Sequence, residues 1–218
     1  MIKPDKKFAI GIDEAGMGPV FGPLVVSGVV VRVAHESILK KQGVKDSKQF
    51  GSGLKAHKKR RDIWNRVYED KRVLKNFHVT IPAREIDRNN MYDLHIEAVS
   101  KILTELNWKE VENVYIEQLG SMKRENFFKK LGFWHHGFIY ESKADIKFPP
   151  VSLASIKAKI ERDIRVKELC LKAGCNYVSG YANKVTEKFL RDYYNEFYSL
   201  PEGTRISRNW DPIKEMRL

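Results

Sequence analysis

Residues 8–32 read FAIGIDEAGMGPVFGPLVVSGVVVR, and the fold class turns on them. Phe8, Ile10 and Ile12 alternate with small residues, the period-two signature of a strand, and Leu24 to Arg32 is β-branched almost throughout. A Gly/Pro-rich connection joins the two. Residues 72–83 give a third, weaker strand with Phe77, Val79 and Ile81 on one face. Consecutive strands of this kind predict an antiparallel opening meander.

Between the second and third strands, Gly51 to Arg72 holds eight Lys or Arg against three acids, with Ile63, Trp64 and Val67 spaced as an apolar stripe. The pattern predicts a helix with one basic face. After Pro82 the period turns helical, and Ile86, Met91, Leu94, Ile96, Ala98, Val99, Ile102, Leu103 and Leu106 form a wide stripe. A short strand at Val114 to Glu117, a helix from Met122 to Leu131 and a strand around Gly137 to Glu141 follow. A helix from Ser152 to Ala173, stopped by Gly174, and a last one from Lys184 to Tyr198 complete the chain. Three strands early, then strand-helix-strand-helix, predict an α/β fold with a mixed sheet.

With 218 residues, 42% apolar and 11% aromatic, the chain can bury a real core, which excludes wholesale disorder and a disulfide-stapled mini-protein. Lys and Arg number 40 against 28 Asp and Glu, a net charge of +12 that points to a polyanionic partner, nucleic acid first. The longest apolar stretch, Leu24 to Val31, falls far short of the roughly 20 residues of a spanning helix. Met1 to Lys7 does not open a signal peptide. Cys170 and Cys175 lack zinc-ligand spacing, so two reduced thiols in a cytoplasmic protein are expected, with a disulfide between them as the alternative.

The chemical signal is a set of acids at strand ends. Asp13 and Glu14 end the first strand, Glu117 ends the strand at 114–116, and Asp145 follows the strand at 137–141. The rim of an α/β sheet is where ligands generally bind. If these strands are neighbours, four carboxylates converge with no neutralising base among them, and such a cluster calls for a cation. Oxygen ligands without His or Cys favour Mg²⁺ or Mn²⁺. Taken singly, an acid after a strand is more often a turn or cap residue than a ligand. Together with the positive charge, the cluster suggests metal-assisted phosphodiester hydrolysis. His95, inside the apolar stripe, reads as a satisfied core histidine.

Gly11-Ile12-Asp13-Glu14-Ala15-Gly16-Met17-Gly18-Pro19 with Gly22-Pro23, Asp46-Ser47-Lys48, Lys143-Ala144-Asp145, and the run from Pro150 through Ser155 and Lys159 to Asp163 closely resemble the signatures of type 2 ribonucleases H, ribonuclease HII. Ser179-Gly180-Tyr181 resembles a later element of that family, and Arg205-Ile206-Ser207 with Trp210 is similar to the tail of its archaeal-type members. The resemblance implies a ribonuclease H-like fold, a five-stranded mixed sheet flanked by helices with a helical C-terminal part. A catalytic domain over 1–174 and a helical extension over 175–218 packed on it are the expected division. It further implies endonucleolytic cleavage of the RNA strand of RNA/DNA hybrids and at ribonucleotides embedded in duplex DNA, by a monomer with no membrane partner.

Family metal ligands carry over to Asp13, Glu14 and Asp145, and the fourth falls on Glu117, where the family has Asp. The glycine loop that reads the ribose 2′-hydroxyl is Gly16-Met17-Gly18 here, in place of Gly-Arg-Gly. Tyr181 matches the tyrosine that stacks near the junction sugar, and Lys48 and Lys143 would lie near phosphates. Two departures bear on function. Glu117 is one methylene longer than Asp, and Mg²⁺ demands near-octahedral geometry, so weak Mg²⁺ activity with better tolerance of Mn²⁺ is expected. Met17 removes a cation from the loop. A catalytically impaired nucleic-acid-binding protein and a structure-selective DNA nuclease on the same fold are the competing readings.

Overall fold

The computed structural model describes residues 8–44, 51 and 53–217. Met1 to Lys7 and the Asp46-Ser47-Lys48 element lie outside the described residues.

Strand β1 (Phe8–Ala15) pairs antiparallel with β2 (Leu24–Arg32), Ile10 opposite Val30, and β2 pairs antiparallel with β3 (Val73–Ile81), giving the expected meander. The chain then crosses to the other side of β1. There β4 (Asn113–Glu117) runs parallel to β1 with Ile12 level with Ile116, and β5 (Phe138–Glu141) runs parallel to β4. The order β3-β2-β1-β4-β5 makes a mixed five-stranded sheet. Every residue of β2 except Arg32 is buried, which is why its composition is β-branched rather than alternating.

Helices cover both faces. On one side α3 (Ala83–Arg88), α4 (Met91–Glu105) and α5 (Arg124–Leu131) pack Ile86, Ile96, Ile102, Phe127 and Phe128 against Ile10, Ile12, Val26, Val114 and Ile116. On the other, α1 (Glu36–Lys41), α2 (Gly53–Glu69) and the 24-residue α7 (Pro149–Lys172) pack Leu39, Trp64, Val67, Leu153 and Ile156 against Val29 and Val31. A single turn, α6 (Ala144–Lys147), precedes α7. The C-terminal α8 (Lys184–Phe197) and α9 (Asp211–Glu215) share a core with Val20, Phe21 and Val166. Cys170, in that core, and Cys175 are free thiols. Among the described residues no helix is long and apolar enough to cross a membrane.

Three sequence expectations shift. The stripe from Ile86 to Leu106 is broken into two helices, because Asn89 is extended and the Asn90 side chain caps α4 by accepting from the amides of Tyr92 and Asp93 at 2.9 and 3.3 Å. Helix α7 begins at Pro149 rather than Ser152, since prolines in the first turn lose no hydrogen bond. Arg60 leaves the solvated basic face of α2, buried with its guanidinium 3.1 Å from Asp163, which also faces His57 Nδ1 at 3.2 Å.

The position of α7 over β1 depends on Gly11, where a Cβ would overlap the backbone of Pro150 and Val151. Gly28 of β2 is also crowded, but by side-chain methyls, the Cγ2 of Ile102 and the Cδ1 of Leu106. Side chains can re-pack and a helix backbone cannot. Gly11→Ala should therefore cost about 3 kcal/mol or more and Gly28→Ala about 1 kcal/mol, read from urea unfolding midpoints. Equal midpoints would contradict the backbone contact.

Candidate active site at the ends of β1 and β4

The chain leaves β1 toward β2 on one side and returns through β4 on the other, so the C-terminal ends of β1 and β4 flank the point where strand order reverses. Extending the parallel register by one residue past Ile12 and Ile116 sets Asp13 level with Glu117, both on the face covered by α7. Asp13 is 6% exposed. Its Oδ1 accepts from the Glu14 amide at 2.7 Å, and Ser155 and Lys159 of α7 face its carboxyl. Lys159 Nζ donates to Ser155 Oγ at 2.9 Å.

Glu117 reaches along the edge to α6. Its Oε1 accepts from the amide of Lys143 at 2.9 Å and its Oε2 from the amide of Asp145 at 3.1 Å. Lys143 takes a left-handed φ of 60° at this turn and leaves its side chain exposed. Asp145 is buried, and Ser152 Oγ of α7 donates to its carbonyl. Asp13, Glu117 and Asp145 thus stand at one edge on one face of the sheet.

Glu14, one residue on, points to the opposite face. There its Oε2 lies 3.7 Å from Nε2 of His95, which is 1% exposed on α4. That separation is ion-pair range rather than a hydrogen bond, and among the described residues both ring nitrogens of His95 lack a hydrogen-bond partner. His95 is therefore a buried imidazole facing a carboxylate, not the satisfied core histidine its place in the stripe suggests. The expectation of no neutralising base is likewise corrected, because Lys159 and His95 both draw on the acids. Among the described residues no group of three or more His, Cys, Asp or Glu side chains is gathered so as to hold a metal ion as it stands. The carboxylates of Glu117 and Glu14 are turned instead to the α6 amides and to His95.

Burial, and after it the charge of Glu14, hold the Asp13 carboxyl well above the ordinary carboxylate range, against the pull of Lys159 and Ser155. For Glu14 burial acts in the same sense but is outweighed, His95 first and then Asp13 and Lys159 drawing its carboxyl down. Burial also raises Glu117, with the α6 amides opposing. Adjacent carboxyls pushed apart in this way are a mark of functional sites.

The glycine loop lies beside these acids. Gly16 has a φ of +107°, and a Cβ there would press on the carbonyl of Pro23. Tyr181 is 50% exposed, with its ring edge 3.7 Å from where a Cβ on Gly18 would sit. The Arg162 guanidinium lies 5.3 Å from the centre of the Tyr181 ring. Gly180 fixes this arrangement, its carbonyl accepting from the amides of Val20 and Phe21 at 2.8 and 3.1 Å. Gly16, Met17, Gly18 and Tyr181 are thus brought together, while Lys143 sits across the edge at α6. Sequence reasoning assigned no role to His95, Ser155 or Lys159. The last two, four residues apart on α7, share the face that meets β1, which is the signal that marks them.

Because the folded state holds Asp13 protonated to higher pH, the unfolded chain ionises first as pH rises above about 3.9, and metal-free stability falls until the folded value is reached. Asp13→Asn removes that loss. With EDTA present, its melting temperature should exceed wild type by a margin that widens from pH 4.5 to 7.5, at about 2–4 °C per kcal/mol. A variant melting at or below wild type at pH 7.5 would contradict the burial cost.

Comparison with known proteins bears on the family and the fold. The family model described as Ribonuclease HII matches residues 10–209. Ribonuclease HII of Thermococcus sibiricus is 36% identical over 215 residues, covering 94% of this chain and 89% of that protein. The crystal structure of ribonuclease H2 from Pyrococcus horikoshii superposes with a TM-score of 0.78 at 28% identity, covering 96% of each chain. Bst-RNase HIII, solved in complex with Mn²⁺, shares the fold at a TM-score of 0.77 and 20% identity, over 97% of this chain and 70% of that one. With a family match that spans the strand-end acids, the glycine loop and the tail alike, this chain belongs to the ribonuclease HII family and is a ribonuclease H endonuclease.

Proposed function

We propose that the enzyme cuts the RNA strand of RNA/DNA hybrids and at ribonucleotides embedded in duplex DNA, using Mg²⁺ or Mn²⁺ held by Asp13, Glu14, Glu117 and Asp145. The observation that supports this most is the placement of Asp13 level with Glu117, itself bonded to the Asp145 amide, beside a loop faced by Tyr181. The donor set is chemically suited to a hard cation, since it is all carboxylate oxygen; Asp13, Glu117 and Asp145 share one face, and Glu14 would join them by turning away from His95. When bound, such ions favour attack of water on the phosphodiester and offset charge on the leaving oxygen.

The protein's own groups do the rest. Ser155 and Lys159 hold Asp13 in place, and His95 keeps Glu14 ionised. Gly16 lets the loop turn tightly against the Pro23 carbonyl, and exposed Gly18 leaves the backbone open for a sugar to approach, so the 2′-hydroxyl can be read by main-chain groups of the loop, with Tyr181 against the ribose. Lys143, exposed at α6, would contact phosphates, as would Lys48, and affinity should fall steeply with salt.

Labelled duplexes holding one ribonucleotide, a ribonucleotide stretch, or none test this reading. The first two should be cut and the third left intact. Cleavage of the all-DNA duplex would favour a DNA nuclease, and binding without cutting an impaired binder. Glu117→Asp, too short to keep both α6 amides, should shift the ratio of Mg²⁺ to Mn²⁺ rates toward Mg²⁺ by about tenfold. An unchanged ratio would contradict a role for Glu117 in metal choice.

A further inference from the structure

The C-terminal segment returns across the molecule to the glycine loop. Asp87 of α3 fastens it, accepting from the amides of Ile206 and Ser207 at 3.1 and 2.9 Å and from Ser207 Oγ at 2.6 Å. Arg205 donates its amide to the Val20 carbonyl and its Nε to the Gly22 carbonyl, each at 2.8 Å. Held this way, Arg208 donates Nη2 to the carbonyl of Met17 and lies 3.8 Å from Met91 Sδ, while its buried Nε has no hydrogen-bond partner among the described residues.

Three guanidinium groups meet here. Arg162 donates to the Ser179 carbonyl at 2.6 Å and faces Asp163 at 3.5 Å. Arg205 is fully buried with Nη1 and Nη2 unpartnered among the described residues, and burial, followed by the charges of Arg208 and Arg162, brings its pKa down to about 9. Asp87 and Asp163 are the acids that oppose the three, and Asp87 already serves the tail amides. The cluster lacks negative charge. Arg205 is sealed in the core and Arg162 is buried beneath the Tyr181 ring, so of the three only Arg208, half-buried and bonded to the loop next to exposed Gly18, has access to solvent.

We propose that Arg208 binds a backbone phosphate of the substrate strand at the Gly16–Gly18 loop, supplying from the C-terminal tail the cation that Met17 does not. A guanidinium held against a loop carbonyl keeps further N–H donors for phosphate oxygens, a charge-assisted contact that orients the strand without reading bases. This rests on the reading of the site as a nucleic-acid site.

The test is binding of a labelled duplex with one ribonucleotide, in EDTA so that nothing is cut, across a series of salt concentrations. Arg208→Gln keeps a donor for the Met17 carbonyl but no charge, and Arg208→Lys keeps the charge. In the plot of log affinity against log salt, Arg208→Gln should lose about one unit of slope, Arg208→Lys should keep the wild-type slope, and Met17→Arg added to Arg208→Gln should restore it. A wild-type slope in Arg208→Gln would overturn the proposal and leave the nuclease reading standing. Absence of salt-dependent duplex binding by the wild type would overturn both.

Discussion

The parallel pairing of β1 with β4, under a helix that lies directly on the β1 backbone, is the constraint from which the rest of this molecule follows. Gly11 lets α7 settle against β1, and α7 then brings Ser155 and Lys159 to Asp13. The register with β4 sets Glu117 beside Asp13, and the reach of Glu117 to the α6 amides holds the turn that presents Asp145. A shift of one residue in that pairing would carry Asp13 and Glu117 to different heights and dissolve the cluster. A buried acid held above its ordinary range costs stability at neutral pH.

The opposite faces taken by Asp13 and Glu14 give the two neighbours different environments. Asp13 sits under α7 with a serine and a lysine, Glu14 under α4 with a buried histidine, and the carboxyls are driven in opposite directions as a result. The C-terminal segment is tied to the same centre. Gly180 and Arg205 grip the Val20–Phe21 turn from two sides, so the loop at 16–18 is held between the strand that carries the acids and the tail that carries Arg208.

Much of this was legible in the sequence, because strands announce themselves by period. The alternation of Phe8, Ile10 and Ile12 and the valine-rich stretch at 24–31 specify the central strands, and acids directly after such runs must lie at a sheet rim. What periodicity does not report is pairing across the chain. The proximity of His95 to Glu14 spans 81 positions, and an apolar stripe around a histidine looks the same whether or not a carboxylate faces it. The break at Asn89-Asn90 depends on one side chain capping two amides, a local event hidden inside a continuous stripe. Arg208 sits beyond the last strong pattern, and its value comes from a turn held by Asp87.

Capture of a hard divalent cation by the acids at the β1–β4 edge can be followed in the free enzyme, without nucleic acid, by electron paramagnetic resonance of added Mn²⁺. Uptake should be saturable in the wild type and lost in Asp145→Asn. Equal uptake by the two proteins would rule out an Asp145-dependent metal site at this edge.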